Sequence, residues 1–213
     1  MPTTPQQLYE RSVDQVRRGD VRAALNTLLD TVAADPGHVG ALDAAGRICR
    51  MLGAVDDAGL FEELARRPDE AQPLFDLAFR MVDQGRADVA VPLLEKCRRA
   101  APDSPAVRRE LAFARMQDQD FSGSRKALAP LLDDPSLAET ERLDVHLLAA
   151  EAAAYAGDRD AARELLAEAE SMPADEDQLQ RLDALHALLG RSLHWDSLSG
   201  LGLREWHFIQ HEA

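Results

Sequence analysis

The chain has 213 residues, a formal net charge of −14, 46% hydrophobic residues and only 5% aromatics. That charge argues against nonspecific nucleic-acid binding, which needs cations to displace counterions from phosphates, and it favours basic partners. Ala and Leu dominate and β-branched residues are sparse, so the composition fits an all-α fold, and no apolar run approaches the length of a membrane span.

Two short amphipathic helices, a Gly-centred turn and a closing proline recur along the chain. In residues 6 to 36, Leu8 lies on a first helix, Gly19 at the turn, Ala24 and Leu28 on a second helix, and Pro36 at the stop. A shortened copy from Val39 carries Leu42, Ala45, Gly46 and Cys49, then Gly53, Ala58 and an early Pro68. The clearest copy is Gln72 to Pro105. Its Leu74, Leu77, Ala78 and Met81 fall at the interval that puts side chains on one helical face. Gly85 marks the turn, where a left-handed conformation carries no steric penalty. Ala90, Leu94 and Cys97 form the second apolar face, and Pro102 and Pro105 end it. Pro92 and Pro130 fall inside expected second helices, which predicts a kink or a delayed helix start at both. Residues 106 to 135 keep Leu111, Ala112 and Leu128, but Gln119 replaces the turn glycine and Ser124 the small alanine. Residues 141 to 173 restore both with Gly157 and Ala162, add Leu166 and Ala169, and stop at Pro173. Residues 178 to 190 read as an unpaired terminal helix with Leu179, Leu182, Leu185, His186 and Leu189 on or near one face. The acidic stretches at 133 to 141 and 173 to 177 lack the ligand spacing of a calcium loop and read as solvated loops.

The turn positions 19, 53, 85, 119 and 157 are separated by 34, 32, 34 and 38 residues. With the small residue, turn glycine, alanine, bulky apolar residue and proline in that order, residues 6 to 190 resemble the tetratricopeptide repeat family. The resemblance implies a right-handed α-solenoid of about five helix-turn-helix repeats with a terminal capping helix, and a non-catalytic scaffold that binds a protein or peptide segment in a concave groove. Carried through the copies, the groove positions are Tyr9, Val13 and Arg17; Asp43, Arg47 and Arg50; Phe75, Phe79 and Val82; Arg109, Phe113 and Met116; and Leu147, Glu151 and Tyr155. Aromatic rings with arginines beside them suit a ligand with apolar anchors and an acidic group. The competing reading is that Phe79 and Phe113 pack between helices and the arginines cover backbone. The co-chaperone version of the family grips a carboxylate with Lys and Asn, and the positions here, Tyr9, Val13, Asp43 and Arg47, do not match it.

Lys96 and Lys126 are the only lysines among many arginines, a bias that suggests a GC-rich bacterial genome. Cys49 and Cys97 sit on apolar faces of different repeats and read as packing thiols rather than a disulfide. The first residues lack a basic and an apolar secretory region, so a cytoplasmic location is expected.

Residues 191 to 213 form an aromatic, His-rich tail with Trp195, Trp206 and Phe208. Three roles are open to it: a cap on the solenoid end, a self-ligand docking in its own groove or a neighbour's to make a homodimer, or the start of a further domain. The cap is preferred because solenoid ends need covering. A metal-dependent enzyme would rest on His207 and His211 with His194, Glu205 and Glu212 nearby. No zinc-protease glutamate stands between the two histidines and no third ligand is fixed, so no metal, cofactor or catalytic role is assigned.

Overall fold

A computed structural model describes residues 3–190, which divide into two compact units at Asp118 and Gln119. The sequence alone reads as one array, and the division falls where the turn glycine is replaced. Eleven helices and no strand occur among the described residues.

The first unit holds α1 (Pro5–Arg17) and α2 (Val21–Ala34), α3 (Val39–Met51) and α4 (Val55–Arg66), α5 (Ala71–Asp83) and α6 (Ala87–Ala100), and α7 (Pro105–Gln117). The first three pairs are hairpins. α7 packs on α6 and α5. Capping starts the chain cleanly: Thr4 accepts from the Gln7 backbone N–H, and the Gln7 side chain accepts from the Thr4 N–H. The hairpin turns fall at the expected positions, with φ of 84° at Gly19 and Gly53 and 68° at Gly85. Gln119 also adopts φ 62°, so the periodic turn survives without its glycine.

The apolar faces expected on α2 to α6 are buried. Leu74, Leu77, Ala78 and Met81 on α5 are in the core with Ala90, Leu94 and Cys97 on α6. At Gly46 an added Cβ would lie 3.1 Å from Glu62 Cγ and 3.3 Å from the Ala58 carbonyl oxygen, so the missing side chain is what lets α3 and α4 approach. Cys49 and Cys97 are buried free thiols, and burial pushes both up to about 11. Cys97 Sγ donates to the Ala71 carbonyl at 3.2 Å.

Of the two outcomes expected at Pro92 and Pro130, the delayed helix start does not occur: α6 begins at Ala87, and α8 (Phe121–Leu132) runs through Pro130. Pro92 lies one turn into α6 and Pro130 one turn from the end of α8, so each removes a single backbone donor near a helix end. The packing also departs from a stack of nearest neighbours. α2 packs directly on α6, while α4 meets α3 and α5. Arg86 Nη2 lies 3.6 Å from Asp30 Oδ1, and a Cβ on Gly37 would meet Lys96 Nζ at 3.0 Å. Arg86, Val89, Leu93 and Lys96 share one stripe of α6, and Val89 and Leu93 are buried within it. Thr27 and Thr31, near Asp30 on α2, are buried and return their hydroxyls to the Ala23 and Thr27 carbonyls at 3.0 and 2.8 Å. The helices α2, α3, α4, α5 and α6 therefore form a closed ring of neighbours.

The second unit contains α8, α9 (Glu139–Tyr155), α10 (Arg159–Glu170) and α11 (Glu176–Gly190). Gly157 turns α9 into α10 at φ 83°. α9 is its central element. Leu143, Leu147, Ala150 and Ala153 join Ala162, Leu166 and Ala169 of α10 and Leu182, Leu185 and Leu189 of α11 in one core. Its other side, with Val145, Leu148 and Ala152, is buried too, and α8 packs on α9. Leu179 and His186, expected on the packing face of α11, are exposed, and Gln178 takes the place of Leu179 on the buried stripe.

Candidate partner-binding face

The expected groove residues do not share one environment. Tyr9 is half-buried, its ring 5.0 Å from that of His38 and against Gly40 at the start of α3, so it packs the first two hairpins together. Arg17 is exposed and pairs with Asp14 at 3.1 Å. Arg47 pairs with Asp43 on its own helix, and Arg50 reaches Glu62 on α4. These three arginines pair with carboxylates of their own unit and stay exposed. Val82 and Met116 are buried, Met116 at 7% exposure, so both belong to the core rather than to a groove. Leu147 and Glu151 are buried as well.

Phe75, Phe79, Arg109 and Phe113 remain. They lie on α5 and α7, two first helices that pack on one another. Phe79 is 49% exposed and stacks on half-buried Phe75, the ring centroids 6.4 Å apart. Phe113 and Arg109 are half-buried on α7. The carboxylates here escaped the sequence reading. Asp76 and Asp83 lie one turn from Phe79 or less on α5, and Glu110 stands beside Arg109 on α7. Burial pushes the Glu110 carboxyl up to about 7; Asp83 adds to the rise and Arg109 opposes it. The back of α5 is held to α4 by Asp57, which accepts from Arg80 Nε at 2.6 Å and Gln84 Nε2 at 2.9 Å. Arg115 on α7 is tied to Glu95 on α6. The aromatic pair thus stands on a braced support with acidic groups around it.

In the second unit the face of α9 that the sequence assigns to a groove is covered by α11. Glu151, 4% exposed, accepts through Oε1 from Arg181 Nε at 3.2 Å and Nη2 at 3.1 Å. Asp144 Oδ1 accepts from Gln178 Nε2 at 3.0 Å and from Arg181 Nη1 at 3.4 Å. Desolvation raises the Glu151 carboxyl and Arg181 opposes it. This cluster clamps α11 onto α9. The complementary pairs Asp144 and Glu151 on α9, Gln178 and Arg181 on α11, were its sequence signal. Tyr155 is half-buried and stacks on Phe121, centroids 5.4 Å apart. Trp195, Trp206, Phe208 and the tail histidines lie outside the described residues. Among the described residues no group of three or more His, Cys, Asp or Glu is placed to hold a metal ion, and no helix is long and apolar enough to cross a membrane.

Helical hairpins turning through left-handed residues at a spacing near 34 define the fold of the tetratricopeptide repeat proteins. Residues 81–135 match the tetratricopeptide repeat family itself. The chain is similar to the crystal structure of YrrB, a TPR protein with an unusual peptide-binding site, at 17% identity and a TM-score of 0.52, covering 84% of this chain and 90% of that one. MamA (41-end) from Desulfovibrio magneticus RS-1 aligns at 20% identity and TM-score 0.49 over 80% of this chain and 96% of that one. TTC0263, a thermophilic TPR protein in Thermus thermophilus, aligns at 20% identity and TM-score 0.46 over 85% and 98%. No curated protein matches the chain in sequence.

Proposed function

We propose that the chain is a non-catalytic scaffold that binds a peptide or protein segment on the α5 and α7 face, with Phe75, Phe79 and Phe113 as the apolar contact. The observation that carries this is Phe79, a large ring half in water and stacked on a second ring, in a chain with few aromatics. Asp76, Asp83 and Glu110 around it, and the chain's net charge of −14, favour a segment whose apolar anchor is flanked by Lys or Arg. Arg109 stands beside Glu110 on the same helix. YrrB, of the same fold, carries a peptide-binding site, which accords with this use of a helical-hairpin array.

Selection of a random peptide library on the purified full chain tests the proposal. Selected peptides should carry an aromatic or aliphatic residue beside basic ones. The Phe79→Ala variant should bind them about 10- to 100-fold more weakly, the loss of about 1.5–3 kcal/mol for one buried large side chain, with its thermal melt unchanged. Equal affinity for both proteins would place the binding face elsewhere.

A further inference from the structure

We infer that a second copy of the chain docks on the outer face of α8 and α10, through a two-fold contact that sets Lys126 of each copy against Glu164 of the other. Both helices pack on α9 and join it through short connections, so both run against it and lie side by side. Arg125 Nη1 donates to Asp158 Oδ2 at 2.9 Å and ties the start of one to the start of the other. Between them is an open groove of about 470 Å³, left unfilled because Ala129, Ala149 and Ala161 line it with small side chains.

The two walls of the groove differ in sign. Lys126 on α8 and Glu164 on α10 both line it and are exposed, and among the described residues neither has an ion-pair partner. The other lysine of the chain, Lys96, is already paired with Asp69 at 2.8 Å. Lys126 and Glu164 also hold the same place in consecutive hairpins, each seven positions past its left-handed turn residue, Gln119 or Gly157. A two-fold axis lying in the plane of contact and running along the helices exchanges left and right but keeps the level. It therefore carries the α8 of one copy onto the α10 of the other, and Lys126 meets Glu164 twice, once from each side. Such reciprocity is what an isologous dimer requires. An axis across the helices would set like walls together, which like charges oppose. The inference stands independently of the peptide-binding face on α5 and α7.

Sedimentation velocity of the full chain at about 0.15 M salt tests this, since general repulsion between two acidic chains is then screened beyond about 8 Å. Wild type should pass from monomer to dimer between about 1 μM and 1 mM, the range of a small interface. Lys126→Glu and Glu164→Lys should each weaken the dimer at least about 10-fold, with thermal melts unchanged. An equimolar mixture of the two variants should restore it, because each supplies the charge that the other lacks. Zero-length carbodiimide coupling of the wild type needs no variant, and its dimer band should contain an amide between Lys126 and Glu164. A monomer at about 1 mM would overturn the inference. So would a dimer indifferent to both substitutions, a mixture that stays monomeric, or a dimer band joined only through other residues.

Discussion

Replacing Glu110 by Gln isolates a carboxyl that the fold keeps in an unfavourable place. Burial and the nearby Asp83 raise it from 4.5 to about 7, against the opposing pull of Arg109. A raised carboxyl pKa means that the folded state holds the proton more tightly. The stability this provides is fully present below pH 4.5 and is lost as pH rises through about 7. At 1.36 kcal/mol per pH unit the full shift corresponds to about 3 kcal/mol, and solvent at this half-buried site lowers the expected effect to about 1–2 kcal/mol. Urea unfolding of wild type and Glu110→Gln at about pH 5 and about pH 8 measures it. The two proteins should be nearly equal at the lower pH, and the variant should be more stable by about 1–2 kcal/mol at the higher. Other titrating groups cancel in that difference. An unchanged gap between the proteins at the two pH values, or a variant weaker at both, would refute the argument, since the ionised carboxylate would then be well accommodated.

Arg181→Ala leaves Glu151 buried without its partner and should cost about 2 kcal/mol, seen as faster amide exchange along α11. Gln119→Gly relieves a left-handed residue at φ 62° and, after the added freedom of the unfolded chain, should raise stability by about 0.5 kcal/mol in thermal melts. Gly46→Val puts a branched side chain where a Cβ already meets Glu62 Cγ at 3.1 Å, and should lower stability by about 2 kcal/mol or more, read from the melting temperature. Leu93→Ala empties a fully buried position on the α6 stripe that faces α2 and should cost about 2–4 kcal/mol in urea unfolding.

The hairpins were legible because their signals are local. Glycines at the turns, small residues at close approaches and one apolar stripe per helix depend on spacing along a single element, and even Gln119 takes the conformation its position demands. What escaped was set by helices distant in sequence. Val89 and Leu93 form a second apolar stripe on α6 that has meaning only once α2 lies against it. Glu151 sits on a first-helix face like Phe79, yet in its own unit α11 covers Glu151, while Phe79 is half exposed. Arg17, Arg47 and Arg50 occupy groove-like positions, but Asp14, Asp43 and Glu62 at their sides use their charge. Spacing turned Phe79 away from the packing stripe, and its ring is half exposed. The carboxylates that alter the chemistry of its surroundings were hidden among the many acidic residues of the chain.

The α2 to α6 contact also changes how the first unit comes apart. A linear repeat array can fray one hairpin at a time from an end, because each repeat touches only its neighbours. Here the first hairpin cannot peel away without uncovering Val89 and Leu93 on the third, so melting α2 exposes the wall of α6 in the same event. Backbone amides of α2 and α6 should therefore exchange with solvent as one cooperative block, while those at the outer end of α1 exchange sooner.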